Sequence, residues 1–154
     1  MDREQLIKGL SAKARLVRAE YKYSQEDMAR ALGLSKKTLV QVEKERTQLS
    51  WTAVVALCAI FRESEILKMT LGDSPVEVVE TLVLDRIYAP KTKTLGGKVW
   101  WRDVKKANGF KMQQNLISGH FRILGEDNHR WYSSFNKEYI EERFNELVKQ
   151  FKEQ

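Results

Sequence analysis

Twenty residues near the amino terminus, Ser24 to Glu43, constrain this chain more than any others. They hold two short stretches of helical spacing, each opened by a serine, with Gly33 between them. Ser24 is placed to cap the first helix, and Asp27, three residues on, to reach back as in a capping box. Met28, Ala29 and Leu32 then face inward, and Gly33 stops the helix by allowing a left-handed cap. Ser35 opens the second helix, whose buried side is Leu39 and Val42. Lys36 and Lys37 fill its first turn, and Gln41 follows one turn later.

The flanking sequence reads as more helix. Leu10, Ala14, Val17 and Tyr21 recur at helical spacing and predict a helix from about Glu4 to Tyr21. Another is expected from about Ser50 to Phe61, with Trp51, Val54, Val55, Cys58 and Phe61 on its inner face. A short one from Ser64 to Leu71 ends before Gly72-Asp73. Residues 1–73 thus read as a mainly α domain of five helices, and residues 74–95 as a connector. Within that connector Ser74-Pro75-Val76-Glu77 looks like a helix start, with proline at the first position. Val76 to Tyr88 continues it, and Ala89 to Gly97 reads as a loop.

Residues 96–154 predict a small α+β domain. Val99, Trp100, Asp103, Val104 and Ala107 suit a short helix stopped by Asn108-Gly109. Phe110 to Ile117, His120 to Leu124 and Arg130 to Ser134 predict a three-stranded antiparallel meander, with turns at Ser118-Gly119 and Gly125 to Asn128. Alternation sets Phe121, Ile123 and Trp131 on one face, and His120, Arg122, Arg130 and Tyr132 on the other. Lys111, Gln113 and Asn115 join that polar face. Asn136 caps a closing helix lined by Ile140, Phe144, Leu147 and Phe151.

Charge narrows the class of partner. The 154-residue chain carries a formal net charge of +6, and that charge is uneven. Residues 1–63 are net +4, residues 64–85 net −4, residues 86–130 net +7 and residues 131–154 net −1. Two basic segments separated by an acidic connector favour an anionic partner such as nucleic acid. A single cysteine, Cys58, leaves no internal disulfide framework and fits a reducing cytoplasm. The charged start is unlike a signal peptide, and no apolar run approaches the roughly 20 residues of a membrane-spanning helix. A cytoplasmic protein is expected.

Nothing points to catalysis, to a cofactor or to a metal. His120 and His129 are the only histidines, and with Cys58 they form neither a metal-ligand spacing nor a nucleophile–base set. No glycine-rich phosphate loop is present. Glu138, Glu141, Glu142 and Glu146 read most simply as the solvated face of the last helix.

Two capped helices around a tight turn, with a cationic start to the second, are the layout of a helix-turn-helix that sets its second helix into the DNA major groove. Lys36, Lys37 and Gln41 project from the outer side of that helix. Lysine can donate to guanine and glutamine can pair bidentately with adenine, so these three are candidate base contacts, with Val40 against a thymine methyl. Gln25 at a helix N-terminus, Thr38, Lys44 and Arg46 are candidate phosphate contacts. Each residue alone also suits a solvated helix; their joint spacing favours DNA.

Roughly residues 10 to 70 resemble the XRE family, the Cro and phage-repressor type of helix-turn-helix protein. Arg18, Ser24-Gln25, Met28-Ala29, Leu32-Gly33-Leu34-Ser35, Thr38-Leu39, Val42-Glu43 and Leu57 carry the resemblance. It implies a structural salt bridge between Arg18 and Glu43. One position departs: the family usually has glycine two residues after that glutamate, where this chain has Glu45. A different path for the following loop is expected.

The expectation is a sequence-specific regulator of double-stranded DNA, a dimeric repressor on an inverted repeat, dimerising through its second domain. The alternative is a bifunctional mobile-element protein, an antitoxin or anti-CRISPR-type nuclease inhibitor that represses its own operon. Its basic second domain would then hold a nuclease, a toxin or RNA through Trp100, Trp101, Lys111, Arg122, Arg130 and Tyr132. Arginine and lysine around exposed aromatics suit such a partner surface; a solvated sheet face suits the same pattern.

Overall fold

Each of the first five helices opens on a side chain that accepts a hydrogen bond from the backbone N–H three residues on. The caps are Asp2 for α1 (Arg3–Glu20), Ser24 for α2 (Gln25–Leu32), Ser35 for α3 (Lys36–Glu43), Ser50 for α4 (Trp51–Ile60) and Ser64 for α5 (Glu65–Leu71). Each cap satisfies an N–H that the helix itself leaves unpaired, which fixes where the helix begins. The computed structural model describes residues 1–84, 91–94, 96–97 and 99–152. The chain divides into two units, Met1–Val79 and Glu80–Gln154.

In the first unit the core is built from Leu6, Leu10, Ala14 and Val17 of α1, Met28 and Leu32 of α2, Leu39 and Val42 of α3, and Val54, Leu57 and Cys58 of α4. Phe61, just past α4, is buried, and Tyr21 and Tyr23 meet it edge-on. The inner face of α4 is rotated from the expected one: Ala53 and Leu57 are buried while Trp51 and Val55 are half-buried. Trp51 instead lies beneath the guanidinium of Arg3, 4.4 Å from its ring centre. Ser24 is only half of a capping box, because the Asp27 carboxylate accepts from the Ser24 hydroxyl at 2.8 Å and not from its backbone. The full box is at α1, where Asp2 and Gln5 exchange both bonds. Helix α6 (Pro75–Leu84) opens on the expected proline and crosses from one unit to the other. Its expected continuation to Tyr88 lies outside the described residues.

The second unit is a five-stranded antiparallel sheet, ordered β1-β5-β4-β3-β2, with helix α7 (Lys137–Gln150) against one face. The strands are β1 (Thr92–Lys93), β2 (Trp101–Ala107), β3 (Phe110–Asn115), β4 (Phe121–Leu124) and β5 (His129–Ser134). Two of these correct the sequence reading. The loop from Ala89 contains β1, and the segment expected to be a short helix is β2, paired to β3. The pairing slips between Asp103 and Lys105, a bulge that adds one residue to β2.

Ile140, Phe144 and Leu147 of α7 pack on Phe110, Met112, Phe121 and Ile123. Asn136 caps α7 as expected, and Phe151, just past its end, meets Phe110 and Trp131 edge-on. A second bulge, where β4 meets β5 between Ile123 and Leu124, sets Tyr132 opposite Ile123. Tyr132 therefore packs on the α7 side with Trp131, and not on the polar face with Arg130. Among the described residues no helix is long and apolar enough to cross a membrane.

Candidate nucleic-acid interface

Helices α2 and α3 are joined by Gly33, Leu34 and Ser35. Gly33 takes the left-handed conformation, φ 70°, and the N–H groups of Gly33 and Leu34 donate back to Arg30 and Ala29 at 3.2 and 2.8 Å. A residue with a Cβ is strained at that φ, so glycine is what allows so short a turn. The inner side of α3 is then fixed by burial of Leu39 and Val42. Helical geometry puts Lys37, Gln41 and Lys44, spaced by four and then three residues, on the opposite stripe.

Lys36, Lys37, Thr38, Lys44 and Arg46 are exposed, while Val40 and Gln41 are half-buried at the edge of the outer face. The Thr38 hydroxyl meets that of Ser35 at 2.8 Å. The first turn of α3 contains no acid. Two lysines therefore stand where the helix dipole favours an anion, an unfavourable placement that a bound phosphate would relieve.

Gln25, expected to meet phosphate at the start of α2, also makes an internal bond. Its amide Nε2 donates to Glu43 Oε2 at 2.8 Å, linking the start of α2 to the end of α3. Arg18 reaches the same carboxylate from α1, with Nε 2.5 Å from Oε1 and Nη2 3.2 Å from Oε2. A third bond from Arg18 goes to the Tyr23 carbonyl at 3.0 Å. Burial pushes the Glu43 carboxyl up, but the hydrogen bonds from Arg18 and Gln25 and the nearby positive charge outweigh it. The group sits below its ordinary value. Three helices are thereby held at one carboxylate, and α3 is oriented on α1 and α2.

The loop beyond α3 corrects an expectation. Glu45 takes φ 58°, its N–H donates to the Val42 carbonyl at 2.9 Å, and Arg46 N–H reaches Gln41 at 3.0 Å. These are the bonds of a Schellman helix end. Glu45 adopts the left-handed conformation that glycine would take, so the path is unchanged and the strain is borne by a non-glycine residue. Only the spacing from Glu43 hinted at it.

The six residues considered for a partner surface in the second half are not presented together. Trp101, Arg122 and Arg130 are buried, Trp100, Lys111 and Tyr132 half-buried. The Arg122 guanidinium lies 3.6 Å from the Trp101 ring centre, and its Nε donates to Gln113 at 3.0 Å. Gln113 passes the chain of bonds to Asp103 at 2.8 Å and to the Gly96 carbonyl at 3.1 Å. Arg130 pairs with Glu80, Lys105 with Glu141, and Lys106 with Asp103. Lys91 sits over Trp131, and Arg102 donates to Gln114. Much of the positive charge of this segment is answered inside the second unit, a pairing invisible without its strand register. Among the described residues no group of three or more His, Cys, Asp or Glu is placed to hold a metal ion.

A protein-family model for a helix-turn-helix domain matches residues 10–68. No curated protein and no solved structure matches the chain. The matched segment runs from within α1 into α5 and contains the capped pair, the turn and the Arg18–Glu43–Gln25 junction. Residues 10–68 are a helix-turn-helix domain, and that assignment supports DNA binding by this part of the chain.

Proposed function

We propose that the chain is a sequence-specific regulator of double-stranded DNA, a cytoplasmic repressor of the XRE type acting as a homodimer on an inverted repeat. In this role α3 enters the major groove. Lys36, Lys37, Gln41 and Val40 meet base edges, and Thr38, Lys44, Arg46 and the N-terminus of α2 at Gln25 meet phosphates. A two-fold dimer formed through the second unit would set its two α3 helices in successive major grooves, roughly 34 Å apart. The chain acts by binding, as no catalytic set was found in the sequence.

What supports this role is the outer face of α3. It carries Lys37, Gln41 and Lys44 on one stripe, and two lysines at a helix start where the dipole disfavours cations. The alternative role drew on an exposed basic surface in the second half. With Arg122 and Arg130 buried, no specific observation favours it.

Selection from random duplexes tests the proposal. The wild type should enrich an inverted repeat, and a Lys36→Ala/Lys37→Ala/Gln41→Ala variant should lose it. Failure of the wild type to enrich any sequence would reduce the helix-turn-helix to a scaffold.

A further inference from the structure

We propose that Glu45 is an electrostatic brake on the DNA-facing surface, a carboxylate that lowers affinity for every duplex by repelling phosphates. This rests on the DNA-binding role of α3 proposed above.

Glu45 is unfavourable where it stands in two separate ways, and no side-chain contact among the described residues offsets them. Its φ of 58° is a conformation in which a Cβ is strained. Its negative charge lies at the C-terminal end of α3, where the helix dipole favours cations. Its side chain is exposed and, among the described residues, makes no hydrogen bond or ion pair. Its backbone closes the Schellman end of α3, a role glycine would fill without strain, and its side chain has neither a buried role nor a capping role that would answer such costs. A residue that breaks local rules without an internal compensation points outward, to a partner.

The neighbours identify that partner as phosphate. Lys44 closes the stripe of Lys37 and Gln41, Arg46 follows, and all three residues from Lys44 to Arg46 are exposed. An anion between two cations on a surface that approaches DNA weakens the attraction those cations supply, and does so whatever the base sequence. A carboxylate can also accept from cytosine N4. That base-reading role would act on one duplex only, which separates it from a brake.

The test measures affinity of the full chain for a selected duplex and a random one, at low and moderate salt. Three proteins are compared: wild type, Glu45→Gln and Glu45→Gly. The glutamine removes the charge and keeps the side chain and the backbone strain; the glycine removes both. Both variants are expected to tighten both duplexes by about three- to tenfold at low salt, with the gain shrinking as salt screens the repulsion. Tightening by glycine alone would assign the effect to the backbone and overturn the brake. Weakening confined to the selected duplex would assign a base contact and also overturn it. An unchanged affinity for both variants, beside a wild type that binds, would overturn the brake and leave the DNA-binding role standing. A wild type that binds no duplex at low salt would overturn both.

Discussion

Arg18 and Glu43, 25 residues apart in sequence, meet through two parallel hydrogen bonds that fasten α1 to the end of α3. The Glu43 side chain keeps 5% of its exposure and that of Arg18 20%, so the pair is largely withdrawn from water. Removing one partner leaves the other charge desolvated. Arg18→Met is expected to cost about 2–3 kcal/mol, below the full range for a buried pair because Arg18 keeps some contact with solvent. Urea unfolding measures this. A double-mutant cycle with Glu43→Gln should show coupling of about 1–2 kcal/mol.

The same carboxylate sets an acid limit. Glu43 titrates below its ordinary value of 4.5 in the folded state. Its contribution to stability is therefore fully present above the unfolded value and lost as pH falls through the lowered folded one. Stability measured from pH 7 down to pH 3 should fall less steeply for Glu43→Gln than for the wild type. Parallel curves would mean that the carboxylate is not held in its charged form by Arg18 and Gln25.

Backbone strain at Glu45 gives a separate prediction about folding. Glu45→Gly should stabilise the chain by about 1 kcal/mol, the left-handed penalty of a residue with a Cβ less the added freedom of glycine in the unfolded state. Glu45→Ala keeps the strain and should show no such gain. Thermal unfolding of both variants checks it.

In the second unit the contact between Gly97 and Trp101 is decisive. Gly97 has φ 60°, and a Cβ there would lie 2.4 Å from Trp101 Cδ1 and 2.7 Å from an Arg122 nitrogen. Gly97→Ala should cost about 2–4 kcal/mol through strain and overpacking, and should shift the tryptophan emission. An alanine variant as stable as the wild type would contradict the close stacking of this segment on Trp101.

The first unit was legible because its signals are local. Serine caps, Gly33 and apolar spacing each act within a few residues, and the family-type positions around Arg18 and Glu43 added the long-range pair. Strand β2 was not legible, for a specific reason. Its buried and half-buried positions, Trp101, Val104 and Ala107, fall three residues apart because the bulge between Asp103 and Lys105 breaks the period of two. Three-residue spacing is what a helix shows, so the pattern read as one. Tyr132 was misplaced by the second bulge in the same way. Arg122 looked like a surface residue because nothing in its own strand announces the Gln113, Trp101 and Gly97 groups that enclose it.

Recognition by α3 is tested most directly by measuring Gln41→Ala and Lys44→Ala against a selected and a random duplex at fixed salt. Gln41→Ala should lose roughly tenfold or more on the selected duplex and little on the random one, as expected of a bidentate base contact. Lys44→Ala should weaken both duplexes alike. Equal losses on both duplexes for both variants would contradict base reading by α3.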